Sequence, residues 1–92
     1  MFNKELVSEN AAIFSYLGQE AYRQYEPIVK DLCIRQAAQD EVEWLLERML
    51  DFCDFEDVLG LFKRLCQHYY DIYPEMIADE IRWYKKEYLE EQ

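Results

Sequence analysis

Residues 40–57 read DEVEWLLERMLDFCDFED, and the rest of the chain is organised around this stretch. Its apolar residues recur three and four positions apart, which is the period of an amphipathic α-helix. They are Val42, Leu45, Leu46, Met49, Leu50 and Cys53. The stretch therefore predicts a helix that is apolar along one side.

The same stretch is strongly acidic. It holds eight carboxylates against one cation, Arg48, and so carries seven of the ten net negative charges of the chain. At about 100° per residue, five of the acids project on one arc away from the apolar stripe. These five residues, which we call the acidic arc, are Asp40, Glu43, Glu47, Asp51 and Asp54.

The acidic arc has a regular spacing as well as a charge. Acids three or four residues apart rise about 5–6 Å along a helix axis, a step comparable with phosphate spacing along a DNA strand. We interpret the arc as a surface for a basic partner, in particular the Lys/Arg groove of a nucleic-acid-binding protein. The alternative is a solvated helix face.

The remaining sequence continues the helical pattern and predicts one all-α domain over residues 1–92, a compact bundle of four to five helices. Breaks are expected near Pro27, Asp40, Asp54 and Pro74. Proline disfavours helical dihedral angles in the residue before it, so Pro27 should end the first helix and open the second, and Pro74 should open the last. Asp40 should cap the third helix, with residues 40–43 resembling a capping box.

Each predicted helix has an apolar stripe that should face a common core. In the first two helices the inward residues are Leu6, Ile13, Phe14, Leu17, Ala21, Tyr25, Ile28, Val29, Leu32, Cys33 and Ala37. In the last two they are Phe55, Val58, Leu59, Phe62, Leu65, Cys66, Tyr69, Met76, Ile77, Ile81, Tyr84 and Tyr88. Gly18, in the middle of the first helix, either lets another helix approach closely or has no packing role.

Composition excludes several classes of protein. The apolar fraction of 51% argues against disorder. A net charge of −10 argues against direct binding to nucleic acid or to an anionic membrane.

Met1–Ala12 lacks the apolar core of a signal peptide, and no run approaches the roughly 18 apolar residues of a membrane span. Cys33, Cys53 and Cys66 lack metal-ligand spacing and predict free thiols, so we expect a cytoplasmic protein.

The motifs of catalysis are missing from the sequence. His68 is the single histidine and has no nucleophile signature around it. A di-iron bundle needs Glu-x-x-His segments, whereas Leu65 precedes His68 by three positions. Residues 51–60 have the wrong ligand spacing for a calcium loop, and no phosphate-binding glycine motif occurs. The sequence therefore predicts no enzyme, no metal site and no cofactor.

Trp44 projects outward beside the acidic arc. An exposed tryptophan is a plausible anchor for a partner, since tryptophan is enriched at interface hot spots; the alternative is packing under a neighbouring helix. The predicted partner-binding residues are accordingly Asp40, Glu43, Trp44, Glu47, Asp51 and Asp54. Four further tyrosines lie off the main stripes and suggest a second interface, such as a homodimer. They are Tyr16, Tyr22, Tyr70 and Tyr73.

In size, charge, aromatic content and helicity the whole chain resembles the small acidic anti-defence proteins of phages. These include the DNA-mimic antirestriction inhibitors of the Ocr and Arn kind and acidic anti-CRISPR proteins. No diagnostic motif matches, so no residue role is carried over. The resemblance implies a non-enzymatic inhibitor that blocks a nucleic-acid-binding site on a host protein.

A second hypothesis is a helical adaptor, anti-sigma or immunity-type protein that binds its partner mainly through apolar and aromatic surface. A small enzyme or metal protein is a third, disfavoured by the missing motifs. Salt dependence separates the first two, because a charge-driven complex weakens steeply as salt rises.

Overall fold

The structure, a computed structural model, describes residues 4–90 and the side chains of residues 15–90. Four helices follow one another: α1 (Lys4–Ile34), α2 (Gln39–Leu50), α3 (Glu56–Tyr69) and α4 (Pro74–Tyr88). α1 packs mainly along α3, and α2 packs against both α3 and α4. The predicted all-α bundle is confirmed. Within the described part of the chain, no helix has the length and apolar character needed to cross a membrane.

The predicted break at Pro27 is wrong, because α1 runs through it to Ile34. A proline inside a helix loses one hydrogen bond and clashes with the preceding turn, which costs about 3 kcal/mol or more. The apolar stripe nevertheless stays in phase across it: Ala21, Val29 and Leu32 are all buried on one side of α1. Continuing the helix keeps these side chains in one core, and their burial offsets the cost of the proline, which is itself exposed.

The other three breaks fall near their predicted places, but Asp40 is not a cap. α2 begins at Gln39 with Ala38 as its N-cap, and the Glu41 carboxylate accepts a hydrogen bond from the Ala38 N–H at 3.2 Å. No side chain caps α3 or α4 either. Carboxylates instead occupy the first turn of α2, α3 and α4, where the helix dipole favours negative charge.

The core draws on all four helices. The inward prediction holds for most of the residues whose side chains are described, while those of Leu6, Ile13 and Phe14 lie outside that range. Leu17 and Ile28 are corrections, since they are 50% and 38% exposed. Both lie at the edge of the continuous α1 stripe, one position from residues that face the core. The fully or nearly buried apolar side chains of the described residues are Ala21, Val29, Leu32, Ala37, Val42, Leu45, Leu46, Met49, Cys53, Val58, Leu61, Phe62, Leu65, Cys66, Tyr69, Met76 and Ile77.

Gly18 has a packing role. It lies on the inward side of α1, and a Cβ atom placed there would overlap the ring of Phe55, which lies in the turn between α2 and α3. The absence of a side chain therefore lets this turn lie directly on α1. The contact is with a turn, not with another helix.

Tyrosine hydroxyl groups satisfy carbonyls at the ends of α1 and α2 and in the loop between them. The last carbonyls of a helix have no partner within it, and glycine, the usual residue at such ends, is not available here. Tyr69 donates to the carbonyl of Leu32 at 2.5 Å, Tyr73 to that of Ala37 at 2.7 Å, and Tyr88 to that of Leu50 at 2.5 Å. These three tyrosines tie the C-terminal half of the chain to the ends of α1 and α2 and to the loop between them.

We expect Tyr69→Phe to lower the free energy of unfolding by about 1–3 kcal/mol. The Tyr69 hydroxyl also accepts from the Ala37 N–H at 2.9 Å, so its removal leaves a buried donor and a buried acceptor without their partner. Urea denaturation measures the change. Tyr70→Phe is the control, since Tyr70 is 52% exposed; equal losses in both variants would contradict the capping role.

Candidate functional site

The acidic arc divides into an exposed part and a part turned towards α4. Asp40, Glu47, Asp51 and Asp54 are exposed, whereas Glu43 is half-buried. The helix geometry explains the difference, because Glu43 is the member nearest to the apolar stripe and so lies on the flank that α4 covers. Asp40, Glu43 and Glu47 lie on α2 and Asp51 is its C-cap, whereas Asp54 lies in the turn before α3, so the prediction that one helical arc carries all five acids is wrong at Asp54.

None of the four exposed acids forms an ion pair with any described residue. Ion pairs do form elsewhere, and each uses an acid outside the acidic arc. Arg48, the single cation of residues 40–57, lies instead over the Trp44 ring, with its guanidinium carbon 4.8 Å from the ring centre. The exposed carboxylates are thus left uncompensated by the protein itself.

A third carboxylate from another helix joins Glu43 and Glu47. Glu80 of α4 is only 2% exposed, and one carboxylate oxygen of each residue lies within 4.8 Å of the other two. We call Glu43, Glu47 and Glu80 the glutamate cluster. Glu43 and Glu47 are one turn apart on α2, so both point at the same part of α4.

Glu80 was missed by the sequence analysis, although a signal for it exists. Position 80 follows Met76 by four residues and Ile77 by three, so it lies on the inward face of α4. The stripe predicts an apolar residue there, and the sequence places a carboxylate instead. A charged residue at an inward position of a helix indicates a specific partner, because such residues are almost never fully buried without one.

Burial and neighbouring charge both act on this carboxyl group. Removal from water raises the pKa of Glu80 to about 8, and a side-chain hydrogen bond with Glu47 and the charges of Glu47, Glu43 and Asp79 act in the same direction. The Oε1 atom of Glu80 is buried and accepts no hydrogen bond from any described group. The cluster thus gathers three carboxyl groups at one place, and the raised pKa means that Glu80 keeps its proton at neutral pH.

Trp44 is 52% exposed and lines a groove between α1 and α2. The groove has a volume of about 470 Å³ and combines an apolar floor with polar walls. Its lining residues are Ile28, Asp31, Leu32, Arg35, Asp40, Glu41, Trp44 and Leu45. Two predicted site residues, Trp44 and Asp40, therefore meet in one concave surface.

Arg35 organises the other wall of the groove. Its guanidinium group pairs with Asp31 at 3.0 Å and with Glu41 at 2.7 Å. The hydrogen bonds from Arg35 and from the Ala38 N–H hold the pKa of Glu41 below its usual value. Asp31 and Glu41 are therefore occupied within the protein, whereas Asp40 remains available at the rim.

The proposed tyrosine interface is only partly available. Tyr16, Tyr22 and Tyr70 are exposed. Tyr73 is not, because its ring stacks on Tyr69 at 5.7 Å between ring centres and its hydroxyl group is bound to Ala37. Tyr73 is a structural residue, and its assignment to a second interface is a correction.

The potential nucleophiles offer little chemistry. Cys33, Cys53 and Cys66 are free, and burial raises the pKa of Cys53 and of Cys66 to about 12. A thiol reacts and binds metals as the thiolate, so these two are inert at neutral pH. His68 is exposed on α3 and lies edge-on against Tyr69, with ring centres 4.9 Å apart.

The fold and these surfaces define a small all-α protein with an uncompensated acidic face beside an exposed tryptophan. Comparison of the chain with protein-family models, with curated proteins and with solved structures found no match in any of the three.

Proposed function

We propose that the chain is a non-enzymatic inhibitor that binds the basic, nucleic-acid-binding surface of a protein partner and competes there with DNA or RNA. The resemblance to phage anti-defence inhibitors suggests a host defence or DNA-binding protein as the partner. One observation carries the proposal: Asp40, Glu47, Asp51 and Asp54 are exposed and form no ion pair within the described protein.

Unpaired surface acids favour this function because they retain their attraction for an external cation. An acid already bound to a neighbouring arginine has to lose that interaction before it meets a partner's lysine. A row of free carboxylates instead resembles the phosphates that a basic groove binds, and it accelerates association with such a groove. Trp44 adds a large apolar surface to the edge of the same row.

The test uses charge reversal at three exposed arc residues outside the glutamate cluster. The triple variant Asp40→Lys, Asp51→Lys, Asp54→Lys and the native chain are immobilised, and each is used to capture proteins from host-cell lysate at low and high salt. We expect a basic protein to bind the native chain, to be released by duplex DNA or RNA, and to be lost from the variant. Like-charge juxtaposition across an interface costs several kcal/mol, so the loss should span orders of magnitude.

The matched control is Asp71→Lys, Glu75→Lys, Glu87→Lys, which makes the same change in net charge at exposed positions. Glu75 lies in the first turn of α4 as Asp40 lies in the first turn of α2, so both variants place one lysine against a helix dipole. Equal weakening by both variants would show a general charge effect. No weakening by either, or no release by nucleic acid, would refute the proposal.

A second candidate function is an adaptor that engages its partner through apolar surface, and the groove beneath Trp44 favours it. Trp44→Ala tests this candidate against Trp83→Ala. Both tryptophans are more than half exposed, at 52% and 56%, and each has a cation over its ring. A complex that resists high salt and the charge-reversed triple, but is lost only with Trp44→Ala, would identify an adaptor.

A further inference from the structure

We propose that the glutamate cluster is a binding site for a hard divalent cation of the size of calcium. Its three carboxylates come from two helices, α2 and α4, that pack against each other. The sequence alone predicts no metal site, since the ligands do not follow any known spacing along the chain. The site arises only when Glu80 is placed against the turn of α2 that carries Glu43 and Glu47.

The buried oxygen of Glu80 points to a ligand and not merely to an acidic surface. Acidic clusters on a protein surface are commonly satisfied by water. Glu80 is 2% exposed, and its Oε1 atom accepts no hydrogen bond from any described group. A buried, unpartnered acceptor is costly, and a cation bound between the three residues satisfies it directly.

The separations fit the larger hard cations. Calcium binds carboxylate oxygens at about 2.3–2.6 Å, so two of its ligands on opposite sides are about 4.6–5.2 Å apart. The oxygens of the glutamate cluster lie within 4.8 Å of one another. Magnesium demands near-ideal octahedral geometry at about 2.0–2.1 Å and usually binds one or two carboxylates while keeping several waters, so a set of three carboxylates favours the more flexible coordination of calcium. Oxygen ligands alone also disfavour zinc, which prefers nitrogen and sulfur.

Electrostatics favours a divalent ion at this place. Glu43, Glu47 and Glu80 would carry three negative charges when ionised, with Asp79 close by on α4. A single proton neutralises one carboxylate and leaves the other two in contact. A divalent cation neutralises two charges and binds all three side chains, while Glu43 and Glu47, at the more exposed edge, leave room for water as further ligands.

Calorimetric titration of the full chain, freed of metal with a chelator, tests the site with calcium chloride. We expect one calcium ion per chain with a dissociation constant on the order of 10⁻⁴–10⁻³ M, the range of weak calcium modules. Magnesium should bind more weakly. Glu80→Gln and Glu47→Gln should each weaken binding at least about tenfold, the loss that even outer-sphere groups cause at metal sites.

The control is Glu75→Gln, which removes one charge from an exposed position on α4 and should leave calcium binding unchanged. Glu47→Gln keeps the test valid if Glu80→Gln alters the fold, because Glu47 is exposed. No calcium binding, equal weakening in all three variants, or magnesium binding as tight as calcium would overturn the assignment. The charge-reversed triple leaves these three residues intact, so this site and the proposed function can fail independently.

Discussion

Replacing Leu46 with alanine is expected to lower the free energy of unfolding by about 2–5 kcal/mol. Leu46 lies in the middle of α2 and has no exposed surface. Its removal leaves a cavity between α2 and the helices that pack against it. Those helices are also held by their other contacts in the core, so they can move only partly into the cavity. Chemical denaturation measures this loss. The slope of the unfolding free energy against denaturant concentration should stay unchanged.

Leu59→Ala removes the same atoms from α3 and serves as the matched comparison. The sequence pattern places both leucines inward and predicts the same loss at both. The structure distinguishes them, because Leu59 is only half-buried and part of its side chain stays in water in the folded state. We therefore expect a clearly smaller loss at Leu59. Equal losses, or a loss below about 1 kcal/mol at Leu46, would show that the faces of α2 and α3 are misassigned.

Periodicity alone predicts the helices of the C-terminal two-thirds of the chain well. Five residues of the predicted stripe, Val42, Leu45, Leu46, Met49 and Cys53, are buried, and the sixth, Leu50, is half-buried. The exposed position of Trp44 follows from the same helical angle. The structure confirms the turns near Asp54 and Pro74 within a few residues. These features are local, so a sequence contains what is needed to predict them.

The proline break failed because two rules conflict at Pro27. The local rule, that a proline ends a helix, is a preference of a few kcal/mol. The stripe from Ala21 to Leu32 keeps its phase through the proline, and the buried surface of those residues outweighs that preference. A test of phase on both sides of the proline would have predicted one helix.

The sequence predicts only those features of the candidate site that lie on a single helix. The exposure of Asp40 and Asp51 follows from their angle around the axis of α2, whereas Asp54 lies in the turn after it. The glutamate cluster does not, since the approach of Glu80 to Glu43 and Glu47 requires knowing that α2 and α4 are neighbours. Tyr69, Tyr73 and Tyr88 are similar, because each donates to a carbonyl more than 30 residues away in sequence.

The stability of the calcium-free protein is expected to fall as the pH rises from about 5.5 to 8, and Glu80→Gln is expected to remove this fall. The folded-state pKa of Glu80 is raised to about 8 by burial and by the nearby Glu47, Glu43 and Asp79; Cys66 of α3 also faces it. The unfolded chain releases this proton near pH 4.5, its ordinary value, whereas the folded protein retains it. The retained proton therefore stabilises the folded state fully at low pH. This contribution is lost as the pH rises, by up to about 1.4 kcal/mol per pH unit.

Between pH 5.5 and 8 the free energy of unfolding should fall by about 3 kcal/mol, as the raised pKa of Glu80 implies. Glutamine carries no ionisable proton, so Glu80→Gln should be more stable than the native chain at pH 8 and close to it at pH 5.5. Denaturation at a series of pH values with a chelator present measures both curves, and Glu75→Gln is the exposed control. Glu41 contributes the opposite trend, since its pKa is lowered, but that contribution is lost only below about pH 4.5, outside the window. Parallel curves for the native chain and Glu80→Gln would mean that Glu80 ionises freely in the folded protein. A carboxylate buried against two others would then need a different partner to neutralise its charge.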